Sequence, residues 1–298
     1  MIRRQELVRK LQQQTADYFK GKGYTIAKCG YILEKRDNWR NNIILEEVAE
    51  YIENEKRYRE QSNIPFPLHK WIHHGLSSQA CLFNLLGPFL ANRDYTTLQE
   101  IFLLSEPGLK LIGNISSAEF EFEDRNIFNE NQGQPTSIDL YVKTDKDEKV
   151  FVEFKFTESE FGTCSVYEDG DCDGANPKVN LDSCYLHQLG RTYMKLMEKY
   201  NLLNNVEYCP FTEFYQAYRL LLFALENNGY FLLIHDERNP TFLIQYNGIK
   251  RGIYKRFKQL LPRGVADKVF ILSIQQIVEH LEKHAKYDWL AEFKKNYL

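Results

Sequence analysis

The 298-residue chain has no run of 18 apolar residues, so no membrane-spanning helix is expected. The opening MIRRQELVRKLQQQ is charged and amphipathic and lacks the apolar stretch of a secretory leader, which makes the cytoplasm the expected location. Reduced cysteines follow from that compartment. Of the six cysteines no two are separated by only two residues, so zinc-ribbon spacing is missing. An excess of positive charge is missing too: the net charge of −3 does not mark the whole chain as a nucleic-acid binder. An acidic centre and a local basic patch can nevertheless share one surface. There is no internal repeat or low-complexity tract. The length suits one large domain, or a catalytic domain with a helical elaboration, able to bury a substantial core.

What is present is concentrated in SIDLYVKTDKDEKVFVEFKF, residues 137–156. SIDLYV and VFVEFKF are rich in β-branched and aromatic residues and are separated by a charged stretch, the pattern of a β-hairpin. A turn centred near Lys146 sets Asp139 opposite Glu153. Alternation then puts Glu153 and Lys155 on one face and Phe154 on the other. Val150, Phe151, Val152, Phe154 and Phe156 make the second strand apolar on both faces, as in a covered sheet. Burying such charges costs several kcal/mol unless compensated, and a divalent cation is the natural compensation for two carboxylates. The bland alternative is a cross-strand salt bridge on an exposed face.

Asp139 followed by Glu153-Phe154-Lys155 on the next strand resembles the PD-(D/E)XK nuclease superfamily, which has the restriction-endonuclease fold. The resemblance departs from the pattern in having Ile138, not Pro, before Asp139, with Pro135 further upstream. HHGLSSQACLFNLLGPF (73–89) and YQAYRLLLFALENNGYFLLIHDERNPTF (215–242) are similar to bacterial proteins described as restriction endonucleases. The resemblance implies that Asp139 and Glu153 hold Mg2+ with the backbone carbonyl of Phe154, and that Lys155 positions or activates water. It implies cleavage of DNA phosphodiester bonds, with a homodimer to cut both strands and a cognate DNA methyltransferase as a further partner. By position it lends phosphate-contacting roles to Gln216 and Arg219, three apart on one helix face. It also lends Gln79 a place near the metal-bound water, where the family often has Glu. Structural hydrogen bonding is the competing reading for all three.

The coarse pattern is α/β. Helices are expected over 2–19, 42–60, 77–86 (capped by Ser77 or Ser78) and 95–104. A half-exposed strand AEFEFE (118–123) comes next, then the two strands of the hairpin. A helix over 212–227 stopped by Gly229 and a buried strand over 230–235 follow. Further strands are expected over 242–246 and 269–272, and a helix from 274. That is the α-β-β-β-α-β core, a mixed central sheet flanked by helices. The expected division is an N-terminal helical region (1–67), a core (68–273) with an insertion (158–210), and a C-terminal helical region (274–298).

Cys164, Cys172, Cys184 and Cys209 all fall between the Glu153 strand and the following helix, around the polar, Gly-rich EDGDCDGANP. Four thiolates would staple such a loop as a zinc or iron–sulfur site; ordinary buried thiols are the alternative. Asp169, Asp171 and Asp173 imitate a calcium loop, but the twelfth position is Asn180, so a solvated loop is expected. Residues 250–268 hold seven basic side chains against Asp267, with Tyr254 and Phe257 interleaved. Lys250, Arg251, Lys255, Arg256 and Lys258 therefore form a candidate phosphate-contacting surface, weighed against a solvated amphipathic helix. The sequence favours a magnesium-dependent DNA endonuclease. A repair or structure-specific nuclease and a non-catalytic nucleic-acid-binding or interaction protein remain open beside it.

Overall fold

The structure, a computed structural model, describes residues 3–131, 133, 135–204, 206–246, 249–284 and 286–298. Helices α1 (Arg4–Gly21), α2 (Glu46–Gln61), α3 (Ser78–Ala91) and α4 (Tyr95–Leu103) precede the first strand. Residue 2, where the first helix was expected to begin, lies outside the described residues. α2 starts four residues later than expected because residues 36–42 wind into a 3₁₀ turn. α3 begins where its cap predicts: Ser77 Oγ accepts the Ala80 N–H at 3.3 Å.

Strands β1 (Ile115–Glu123), β2 (Ser137–Thr144) and β3 (Lys149–Lys155) form an antiparallel meander. β4 (Tyr230–His235) and β7 (Val269–Ser273) lie parallel to β3, giving one mixed sheet in the order β1-β2-β3-β4-β7. The hairpin has the expected register, with Leu140 opposite Val152 and Val142 opposite Val150. Apart from Lys149, Glu153, Lys155 and His235, β3 and β4 are apolar, because both faces are covered. Phe154, Leu232 and Ile234 point into one core, shared with Leu7 of α1, Val48 of α2 and Phe83 of α3. Phe151, Phe231 and Leu233 point into the other, beneath α8 (Tyr215–Glu226).

Parallel pairing of β3 with β4 requires a crossover, and α8 completes it after the insertion, whose described α-helices are short: α5 (Ser165–Glu168), α6 (Tyr185–Gln188) and α7 (Tyr193–Lys199). The order helix, three strands, helix, strand is thus present, with β7 as a fifth strand. Behind α8, Asn228 takes the left-handed conformation at φ +50°, not Gly229. Gly229 is required for a different reason: a Cβ there would lie 2.6 Å from the Lys149 carbonyl oxygen. The strand expected over 242–246 forms only as β5 (Ile244–Tyr246), paired with β6 (Ile249–Arg251) in a separate hairpin. α9 (Ile253–Leu260) and α10 (Arg263–Ala266) lead to β7, and α11 (Ile274–Glu282) and α12 (Trp289–Tyr297) close the chain against the first core.

Candidate active site

The sheet carries a fault line where the acids sit. Phe120 and Leu140 are paired and belong to one core; Phe122 and Ile138 are paired and pack into the other. Residues two apart on a regular strand cannot face opposite ways, so both strands change phase between them. The residues at the change are Glu121, at φ +52°, and Asp139. A left-handed glutamate inside a strand costs of order 1–3 kcal/mol and needs surrounding structure to hold it. Arg59 of α2 does this, donating to the backbone oxygens of Glu121 at 2.7 Å and Phe120 at 2.6 Å while its guanidinium covers the Phe66 ring.

The consequence is a row of three carboxylates across adjacent strands: Glu121 on β1, Asp139 on β2 and Glu153 on β3, all lining one cleft of about 1050 Å³. Glu121 and Glu153 are buried, and Asp139 is partly open to the cleft. The Asp139 carboxylate accepts the Phe154 N–H at 2.7 Å, just beyond the last paired rung of β2 and β3. Lys155 Nζ lies 2.7 Å from Glu153 Oε1 and donates to Gln216 Oε1 at 2.6 Å. Glu121 accepts from Gln79 Nε2 at 2.6 Å and from Ser137 Oγ at 2.7 Å.

This crowding shows in the proton affinities. Burial foremost, then Glu153 and Glu121, holds the Asp139 carboxyl well above the usual range, against the opposing pull of Lys155 and the Phe154 N–H. Glu121 is pushed up to about 7, again chiefly by burial, despite its hydrogen bonds from Ser137 and Gln79. Burial pulls the Lys155 ammonium down, but Glu153, Glu158 and Asp139 more than offset it and leave its pKa raised. The site therefore keeps Lys155 charged, which suits it to donating hydrogen bonds and not to acting as a base.

The structure brings Asp139, Glu153, Lys155, Gln216, Arg219, Gln79 and Phe154 to this one cleft. Their engagements differ. Gln216 is bound directly to Lys155. Arg219 pairs with buried Glu130 at 3.0 Å, bonds Thr136, and stacks over Tyr215. Gln79 is occupied with Glu121, the Pro67 carbonyl and the His69 N–H. Glu121, Arg4 and Lys70, which also line the cleft, were missed. Glu121 was hidden by AEFEFE, which reads as a solvated face until the phase change at that residue is known.

The basic segment lies elsewhere, beside β7, two strands from β3. Tyr254 and Phe257 are the buried face of α9, so their interleaving with charge is helix amphipathicity. Lys250 pairs with Glu106, Arg256 with Glu213 at 2.7 Å, and Lys258 donates to the Val269 carbonyl at 2.8 Å. Arg251 is exposed, and Lys255 lines a second, shallower cavity. Among the described residues, the group of three or more His, Cys, Asp or Glu side chains with ligand atoms all within 4.8 Å of one another is Glu100, His280 and His284, none of which lines the cleft. No described helix is long and apolar enough to cross a membrane.

A five-stranded mixed sheet with this acidic row at the β1–β3 side defines the restriction-endonuclease-like class of folds. The chain belongs to the family described as "Restriction Endonuclease associating with ARP", whose model matches residues 5–298. No curated protein matches it, and neither does any solved structure.

Proposed function

We propose that the protein is a magnesium-dependent DNA endonuclease of restriction type, with Asp139, Glu153 and Lys155 at its centre. The observation that carries this reading is the row of carboxylates beside one charged lysine, in a cleft that also presents Arg4 and Lys70. Oxygen donors of this kind suit Mg2+. Asp139 and Glu121, both raised in proton affinity by burial first and by neighbouring acids second, are groups whose ionised forms a divalent cation would stabilise. Asp139, Glu153 and the Phe154 carbonyl would hold the ion, with Glu121 as a further acid. The bound ion would supply Lewis acidity to the phosphate and lower the pKa of a coordinated water.

The protein's own groups do the remainder. Lys155, held by Glu153 and Gln216, aims an ammonium into the cleft, where it orients water and stabilises charge developing on the phosphate. The Gln216 amide fixes that ammonium through its Oε1, which leaves its NH2 as a donor toward the cleft. Arg4 and Lys70 supply the cationic rim that a phosphate backbone requires. A duplex offers two strands to one cleft per chain, so two copies acting together complete the reading. The family's description adds association with a partner, ARP. Supercoiled plasmid incubated with the protein should be nicked or linearised with Mg2+ and left intact with chelator; intact plasmid under both conditions, across varied sequences, would refute the proposal.

Glu121 gives this reading a second, independent handle. Burial pushes this carboxyl up to about 7, so it holds a proton far more readily than a free glutamate, and a cation binding beside it should expel that proton. Calorimetry of Mg2+ binding in buffers of different ionisation enthalpy should show proton release at pH 7, and Glu121→Gln should reduce it. Proton release unchanged by the substitution would remove Glu121 from the cation's neighbourhood.

A further inference from the structure

The middle of the insertion between β3 and α8 is poor in buried residues. From residue 165 to residue 192 only Gly174 and Pro177 are buried. α5 and α6 span four residues each, and a single-residue bridge joins Ala175 to Tyr208. A disulfide or a metal is one way to order a unit with so little core. No disulfide joins the cysteines here.

The backbone nevertheless draws the cysteine-bearing segments together. The Cys164 N–H donates to the Phe211 carbonyl and the Cys209 N–H to the Gly174 carbonyl, each at 2.8 Å. The Cys172 sulfur also receives an amide from two residues further on: its Sγ accepts the Gly174 N–H at 3.4 Å. Gly174 makes its turn possible, with φ +74° and a Tyr167 ring carbon 2.8 Å from where a Cβ would stand. Amides aimed at sulfur stabilise thiolate charge and tune metal–sulfur centres.

The fourth cysteine, Cys184, packs against the same apolar core that buries Cys164 and Cys209. Three of the four cysteines thus lie against one core, without any three of the four sulfur atoms lying within 4.8 Å of one another, since among the described residues that closeness is reached only by Glu100, His280 and His284. A single zinc, with Zn–S bonds near 2.3 Å, would require sulfurs roughly 3.8 Å apart. A [4Fe–4S] cube holds its four thiolates at its outer corners, a wider arrangement.

We propose that Cys164, Cys172, Cys184 and Cys209 hold one iron–sulfur cluster that folds the insertion and seats the start of α8. The seating runs through the residues just before Cys164: the carbonyls of Phe161 and Gly162 accept the N–H groups of Gln216 and Tyr215 at 2.8 and 3.1 Å. Gln216 is the residue that holds Lys155. The cluster's role is structural, and its presence does not depend on the nuclease reading.

Protein purified without oxygen should contain about four iron and four acid-labile sulfide per chain, with visible sulfur-to-iron absorbance. Cys184→Ser, at a half-buried position, should lose most of that iron and speed proteolysis within residues 165–192. Cys29→Ser, at an exposed position outside the insertion, should keep the full complement. Zinc in place of iron, wild-type protein with neither element, or full iron and sulfide in the Cys184 variant would each overturn the proposal.

Discussion

Asp139→Asn should lower magnesium-dependent cleavage by at least about 10³-fold, some 4 kcal/mol of transition-state stabilisation, and should make the metal-free protein more stable above about pH 4. The loss follows from removing a charged oxygen ligand. The gain follows from the burial of Asp139 and, after it, from the crowding of the acids. Asparagine can still accept the Phe154 N–H but carries no charge to desolvate or to oppose Glu153 and Glu121. Because the folded-state pKa of Asp139 is raised, the folded chain holds a proton that the unfolded chain gives up near pH 3.9. The associated stability is fully present below the unfolded pKa and is lost as pH rises through the folded value. Glu121, raised to about 7, acts in the same direction. Metal-free urea midpoints should therefore fall from about pH 4 to beyond pH 7, less steeply in the variant, and Mg2+ should reverse the ordering. Cleavage within tenfold of wild type would end the assignment of Asp139. A metal-free variant less stable than wild type at pH 8 would end the account of crowding.

Lys155→Met should cost about 10²–10³-fold in cleavage through loss of a donor to the developing charge. It should also cost about 3–5 kcal/mol of stability in the absence of metal, because Glu153 is left buried without its partner. Both side chains are only 7% exposed, so solvent cannot take the lysine's place. Adding Glu153→Gln to the variant should recover most of the stability and none of the cleavage. A thermodynamic cycle over the two single variants and the double variant, read by urea denaturation and by plasmid cleavage in parallel, separates the two effects. A stable single variant would mean that Glu153 does not depend on Lys155. Cleavage by the double variant would mean that the chemistry lies elsewhere.

The hairpin shows why part of the site was legible without coordinates. Its register needs only the position of the turn and the period of a strand, and both are local. Leu140 pairs with Val152 as that arithmetic predicts, and Lys155 shares the face of Glu153 and meets it. The cap at Ser77, the apolar run of β4 and the crossover helix α8 are local signals as well.

Glu121 was not legible, because its strand alternates perfectly in sequence and changes phase in the fold. That change is held by Arg59, which lies 62 residues away in the chain. The basic segment shows the opposite case: its charges are conspicuous in sequence, but only the fold shows that Glu106 and Glu213, distant in sequence, pair with Lys250 and Arg256. The sequence alone determined the order of the core elements, the hairpin and the placing of the two acids and the lysine together on it, since these follow from periodicities of two and 3.6 residues. Tertiary structure decided that a third carboxylate joins them, that Gln216 bonds the lysine while Arg219 pairs with Glu130, and that Lys155 stays charged. Those outcomes depend on which distant groups are buried against one another, and burial raises Asp139 and Glu121 through the loss of solvent and the nearness of charges that no local pattern encodes.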